Sequence, residues 1–536
     1  MASTAGTETS SRTARRTRTA AAVVTVLGLV GTAAACGGDT SAGGGDGSTV
    51  VVAVAGDPGS LSPTTALVST ALAMNSFAYD TLVHIDADGS LVPGVAEKWS
   101  ATTTSAKFTI RSGVTCEDGS SLTAEDVAAE YNHIADPKNQ SPMLGISVPV
   151  TAVAKADKAT RTVTVTTTKP APFIVQMSRL LPLLCKNSLA KPAALARATN
   201  ASGPYRLTEA VPGDHYTYVK RDKYSWGPRG STGAGMPGKV VVKVVANEST
   251  AANLLMAGQI DVALINGADQ DRLDAAEVKY RSSTALFGQF LFNQAAGRPT
   301  ADPAVRKALV SVLDLKQLGS VATGGKGKPA TGIGEIAPTP CTGDTVTGNL
   351  PAHDTAQAAA ALTAAGWKKS GGTWTKDGKP LAIGLSYATN QGPQVGSAVE
   401  LAVQQWTSFG VKATAKPTGS GSIISTLGGG DWDIAWAPIG VTLPDQLTQF
   451  YDGPPPPKGN NFGSVVNPDY HRLIAQAAAK PGASGCPLWE AADAALVKHV
   501  DIAPIVSKAN RYHGKGVTFE VDGSGIVPST LRRSAG

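Results

Sequence analysis

The chain has 536 residues, 42% of them hydrophobic and 16% charged, and a formal net charge of +6. That length accommodates two or three ordinary domains or lobes, and that balance of apolar to charged residues excludes a disordered chain. Four arginines against Glu8 in residues 1–35 carry half of the net charge, and the other +3 is spread without long runs of one sign, which excludes a nucleic-acid-binding surface.

Arg12, Arg15, Arg16 and Arg18 precede an apolar run from Ala20 to Val30 and the small residues Ala33-Ala34-Ala35, the order of a secretory leader. The run is shorter than the ~20 residues that span a bilayer, and no later segment reaches that length. Cys36, directly after the small residues, resembles the cysteine of a bacterial lipoprotein signal, whose thiol takes a diacylglycerol and becomes the new N-terminus. The third residue before it, usually Leu in such signals, is Ala33. The alternatives are an ordinary secretory leader with an incidental cysteine, or an uncleaved anchor. Arg15-Arg16 lacks the apolar residues that normally follow a twin-arginine pair. Residues 36–48, rich in Gly, Ser and Asp, read as a flexible tether.

The run from Thr49 to Ala55 predicts a buried strand ended by Gly56-Asp57-Pro58-Gly59. A helix is expected over Thr70 to Tyr79, then a strand at Leu82 to Ile85 running into the turn Asp86 to Gly89. Ala106 to Arg111 alternates with period two, as a half-buried strand does. Thr123 precedes Glu125 and Asp126, a helix start in which the acids suit free amide N–H groups. Thr162 to Thr168 and Lys239 to Val245 are strands, Glu248 to Ala257 is a helix closed by Gly258, and Val262 to Ile265 is a strand. Asp302-Pro303 starts a helix carrying Val305, Leu309 and Leu313. Thr355 to Ala365 is an Ala-rich helix ended by Gly366. Strands follow at Leu381 to Tyr387, Val411 to Ala415 and Trp432 to Trp436. Between the first two of these, Val395 to Phe409 forms a helix with Val395, Ala398, Val399, Ala402, Val403 and Trp406 on one face. Alternation of helices and strands points to α/β lobes.

Cys116, Cys185, Cys341 and Cys486 permit two disulfides in an exported chain, with three pairings open. Cys116–Cys185 and Cys341–Cys486 are favoured, because each pair falls within one half of the chain. No two are close enough for a CxxC motif.

Three blocks now stand in order: Leu91-Val-Pro-Gly-Val-Ala-Glu-Lys-Trp99; Phe108-Thr-Ile-Arg-Ser-Gly-Val114; and Asp118-Gly-Ser-Ser-Leu-Thr-Ala-Glu-Asp-Val127. Gly203-Pro-Tyr205, Leu254-Leu-Met-Ala-Gly-Gln-Ile-Asp261, Phe292-Asn293, Asp302-Pro-Ala-Val-Arg306, Asp431-Trp-Asp433 and Ala503-Pro-Ile-Val506 follow. The ordered set resembles family 5 solute-binding proteins, the extracytoplasmic receptors of oligopeptide, dipeptide and nickel ABC importers. The resemblance implies an α/β, two-lobed, hinged fold of the periplasmic-binding-protein type (cluster C) with an extra subdomain inserted in the first lobe. The expected organisation is residues 1–35 leader, 36–48 tether, 49–75 with 190–285 and 500–536 first lobe, 76–189 inserted subdomain, and 286–499 second lobe. The implied partners are a small-molecule or peptide ligand and ABC permease subunits. The protein would be a monomer held to the outer face of the membrane through lipid on Cys36.

No catalytic constellation stands out. There is no G-x-S-x-G elbow, and Gly324-Gly-Lys-Gly-Lys328 lacks the Ser or Thr of a phosphate loop. His84, His133, His215, His353, His471, His499 and His513 are scattered without an i, i+4 metal pair. Neither a metal nor a cofactor is expected. Phe290, Phe292 and Trp436, near the lobe junction, are the expected cleft lining, with Asn293 as a polar contact. Peptide-binding relatives carry an aspartate shortly after the tryptophan matching Trp436, and it pairs with the peptide's α-ammonium. Here Ala437-Pro438-Ile439-Gly440 follows, and only Asp445 is nearby. Ala129 falls where such relatives carry an aromatic. A buried ammonium needs a partner charge. The departure therefore raises modified peptides, glycosides or metal chelates beside the peptide reading. Competing readings are a secreted hydrolase and a surface lipoprotein without a small-molecule ligand.

Overall fold

Val50 and Val52 are buried in the strand Thr49–Val54, which runs parallel to both Lys239–Val244 and Val262–Leu264 in the computed structural model of the chain. The described residues are 49–65, 69–86, 89–186, 188–419, 422–523 and 525–534, so the leader, Cys36 and the tether lie outside them. The main sheet takes its strands in the order Lys412–Thr418, Ala382–Ala388, Ile434–Trp436, Lys279–Phe292, Ile502–Gly514, Val262–Leu264, Thr49–Val54, Lys239–Val244, His215–Lys220, Tyr205–Val211. Its middle is the antiparallel pair Lys279–Phe292 and Ile502–Gly514, each long enough to serve strands on both sides. These two strands join the second lobe's strands to the first lobe's, and their register shifts around Gly288. A Cβ there would meet Trp436 at 2.6 Å and Val506 at 2.8 Å, so the bulge requires glycine.

Sequence reading missed the length of both crossing strands. Lys279 to Thr284 is polar and mostly exposed, and only the stretch from Gly288 to Phe292 is continuously buried. Neither clean alternation nor a long apolar run announces such a strand.

The helix Ala124–Ala135 begins as Thr123 and Asp126 require. Thr123 Oγ1 accepts from Asp126 N at 3.2 Å, and Asp126 Oδ2 accepts from Thr123 N at 2.9 Å, a reciprocal capping box. Val127, Tyr131 and Ile134 face an antiparallel four-stranded sheet ordered Ala96–Ala101, Ser105–Ile110, Thr162–Thr166, Val153–Asp157. Asn132 ties helix to sheet by exchanging two hydrogen bonds of 2.9 Å with the backbone of Ala154. Thr123→Ala should cost about 1 kcal/mol of stability in urea denaturation; no loss would show that the cap is dispensable.

Phe173 and Met177 pack into the second lobe's cluster with Leu427, Trp432 and Trp489, so the inserted region is anchored on that side also. The second lobe's helix Pro393–Phe409 buries Val395, Ala398, Val399, Ala402 and Trp406, as its periodicity predicts, while Val403 is half-buried. Gly410 ends it at φ 104°, where a Cβ would strike the carbonyl oxygen of Gly372 at 2.3 Å. Arg306 is buried and pairs with Asp501 at 3.0 Å, while Asn467 donates to the other carboxylate oxygen at 2.7 Å. Sulfur atoms lie at bonding distance in Cys116–Cys185 (1.96 Å) and Cys341–Cys486 (2.05 Å), the favoured pairing.

Candidate functional site

A cavity of about 530 Å³ lies where the three regions meet. That is within the range of small-molecule pockets. One wall is the helix Ser69–Ala78 and the segment after it, presenting Leu72, Asn75, Tyr79, Asp80 and His84. The inserted region supplies Met143, Ile146, Arg179 and Leu180. Across from these, the second lobe gives Ile336, Gly440, Val441, Thr442, Gln446 and Phe450, and the C-terminal segment adds Asp522, Gly523 and Ile526 to Ser529. Most of the lining's exposed area is apolar, although about half of the lining residues carry a polar side-chain group. Gln446 fixes the far wall: its Oε1 accepts from Thr442 N at 3.0 Å, and its Nε2 donates to Ile146 O of the inserted region at 3.3 Å.

Three polar groups on the walls are unusual. Arg179 is 8% exposed, and its Nε and Nη2 have no hydrogen-bond partner. Burial pulls its guanidinium below the ordinary value, opposed by the carboxylate of Asp522. Asn75 is 3% exposed, and neither its Oδ1 nor its Nδ2 is paired. Asp80 is also buried. Its Oδ1 lies 3.4 Å from both the Tyr224 hydroxyl and His84 Nε2, and its Oδ2 has no partner. Buried polar atoms are normally satisfied, and these orphans belong to residues of the cavity wall, where a ligand can supply the missing partners.

The residues expected to line the cleft lie elsewhere. Phe290, Phe292 and Trp436 are at most 1% exposed and belong to one hydrophobic cluster of the second lobe. Phe290 meets Trp436 edge-on with centroids 5.7 Å apart, and the Trp436 indole N–H donates to Phe287 O at 3.2 Å. Their strands pair, and the side chains turn into the core under the sheet rather than toward the cavity. Asn293 is structural. Its Nδ2 donates to Trp432 O at 2.9 Å and Gly430 O at 3.1 Å, and its Oδ1 accepts from Ala295 N at 3.1 Å. The Asp445 carboxyl is buried outside the cavity lining, and burial pushes it up to about 7. Ala129 sits on the exposed face of its helix. The stretch after Trp436 does reach the cavity, through Gly440, Val441 and Thr442, and brings no charge.

Sequence reasoning overlooked Asn75, Asp80, His84 and Arg179 as site residues. Two signals were present. Asn75 carries an amide within the largely apolar Leu72-Ala-Met-Asn-Ser-Phe77, and Arg179 is the one charged residue of Val175-Gln-Met-Ser-Arg-Leu-Leu181. A strongly polar residue among apolar neighbours is either exposed or buried for a reason.

A smaller cavity of about 260 Å³ lies beside the crossing strands at Thr284 to Leu286 and Ser507, and Glu335, Glu490 and Asp493 line it. Glu335 and Asp493 share a hydrogen bond, and burial raises both carboxyls. Among the described residues, no group of His, Cys, Asp or Glu is arranged to hold a metal ion, and no helix is long and apolar enough to cross a membrane.

Two α/β lobes joined by a pair of crossing strands, with a cavity between them, define a hinged solute-binding protein. Residues 90–456 match the family model "Bacterial extracellular solute-binding proteins, family 5 Middle", and the chain belongs to that family. It is similar to protein XP55 of Streptomyces lividans, 30% identical over 401 residues, which cover 70% of each chain. It is also similar to the periplasmic murein peptide-binding protein MppA of Escherichia coli, 25% identical over 85% of this chain and 86% of the relative. Among solved structures, a substrate-binding protein of Microbacterium hydrocarbonoxydans complexed with 4-hydroxybenzoate hydrazide superposes with a TM-score of 0.71 at 26% identity, covering 91% of this chain and 100% of its own. The family is extracytoplasmic, binds peptides or small molecules and works with ABC permeases.

Proposed function

We propose that this protein is the substrate-binding component of an ABC importer, capturing a peptide or peptide-like solute between its lobes and passing it unchanged to a membrane permease. The carrying observation is the cavity walled jointly by the first lobe, the inserted region and the second lobe. A solute touching all three binds the closed form better than the open one, and that difference drives closure. The murein peptide-binding relative supports a peptide-like ligand. The uncharged Gly440 to Thr442 wall and the complex of a small aromatic hydrazide with another relative support a second reading, a non-peptide amphipathic solute. The first 48 residues support export and lipidation at Cys36. One acyl chain holds a protein only weakly, whereas a diacylated cysteine holds it stably at the outer face of the membrane. The protein acts as a monomer, each chain carrying a complete cavity.

Thermal denaturation with a panel of di- and tripeptides and small amphipathic solutes tests this. A ligand present at a hundredfold its Kd should add about 2.7 kcal/mol of stability. Leu72→Trp, which sets a bulky indole on the cavity wall, should reduce that gain. A panel without effect, or an equal gain in Leu72→Trp, would contradict the proposal.

A further inference from the structure

The cavity wall holds a buried charge that is only partly answered. Arg179 is 8% exposed and lines the cavity; its Nε and Nη2 have no hydrogen-bond partner, and the Asp522 carboxylate acts on the guanidinium through space. Isolated buried charges are costly and are ordinarily paired. A guanidinium is a planar fork of donors suited to a bidentate carboxylate. The other charged groups on the wall are better provided for. Asp80 has the Tyr224 hydroxyl and His84 at 3.4 Å, and Asp522 accepts from Gly525 N at 3.2 Å. Asn75 adds an unpaired amide to the same cavity, able to donate to an acid oxygen. Around these groups most of the lining's exposed area is apolar, with Leu72, Ile146, Ile336 and Phe450 among its members.

We infer that the solute carries a carboxylate on a largely apolar body, and that Arg179 is the specificity-determining residue that receives the carboxylate. This rests on the receptor reading of the cavity and narrows its ligand class. An ammonium on the solute is not required, although Asp80 Oδ2 is free to accept from one.

The test uses matched pairs in calorimetry and thermal denaturation: 4-phenylbutyrate with 4-phenylbutyramide, N-acetyl-Ala-Phe with its amide, and Ala-Phe-Ala with its amide. Each acid should bind the wild-type protein about a hundredfold tighter than its amide, the scale expected for a buried charge-assisted pair. Arg179→Gln should bind acid and amide alike, and Arg179→Lys should keep part of the preference. Arg179→Gln should also melt at a higher temperature than wild type without ligand, because a buried charge whose burial cost exceeds what Asp522 offsets has been removed. A merely structural arginine would show the opposite. Equal binding of acid and amide by wild type, or an unchanged preference in Arg179→Gln, overturns the inference and leaves the receptor reading intact. If no member of any pair binds wild type, the receptor reading of this cavity fails with it.

Discussion

Glu130→Gln should stabilise the protein by on the order of 4 kcal/mol at pH 8 and change it by less than about 1 kcal/mol at pH 4. Glu130 is 1% exposed on the buried face of the helix Ala124–Ala135. Its Oε2 accepts from Leu184 N at 2.8 Å, and its Oε1 has no partner. Burial pushes its carboxyl from 4.5 up to about 8. Below pH ~4.5 the group is protonated in both the folded and unfolded states, and the stability is fully present. As the pH rises, the unfolded chain releases the proton first and the folded chain only near pH 8, so stability is lost across that window. Glutamine keeps an oxygen for Leu184 N and has no proton to release, which removes the loss. Glu117 and Asp445, each raised to about 7 by burial, act with the same sign. The wild-type protein should therefore be less stable at pH 8 than at pH 5. Urea denaturation of both proteins at pH 4 and pH 8 measures the difference. Equal curves at pH 8 would show that Glu130 is ionised in the folded state without penalty.

Trp436→Ala should cost about 3–5 kcal/mol, the range for deleting a fully buried large aromatic. The side chain is 1% exposed, stacks edge-on against Phe290 and is fixed by its hydrogen bond to Phe287 O. Alanine there leaves a cavity that the paired strands cannot collapse. Phe450→Ala serves as the contrast. Phe450 is half-buried on the cavity wall, so its loss should cost far less stability and should weaken solute binding. If Trp436→Ala instead left stability intact and reduced binding, the tryptophan would line the cleft, and the placement of the whole strand Ile434–Trp436 would be wrong.

Local elements were legible because each rests on a local cause. The capping box at Thr123 and Asp126, the stripe from Val395 to Trp406 and the Val-rich strand Thr49–Val54 follow from neighbours within a few residues. Arg306, by contrast, pairs with Asp501 far away in the chain, a partner that no local pattern marks. The site was not legible in that way. Its walls come from segments near residues 75, 145, 180, 336, 445 and 525, and only the fold brings them together. Trp436 and Phe290 were drawn to the cleft by their proximity to the lobe junction. An aromatic in the middle of a central strand more often serves the core. What resemblance to the family's pattern did contribute was the absent acid after Trp436, and the uncharged Gly440 to Thr442 wall agrees with it.

The central claim is that a solute is held between the lobes and released chemically unaltered. Native mass spectrometry of protein purified without denaturation and then incubated with the matched acids tests it most directly. One solute molecule per chain is expected, displaced by competing ligand and recovered at its original mass, with the complex weakened in Leu72→Trp. Recovery of the solute as a converted product, or a complex equally well formed by Leu72→Trp, would contradict it.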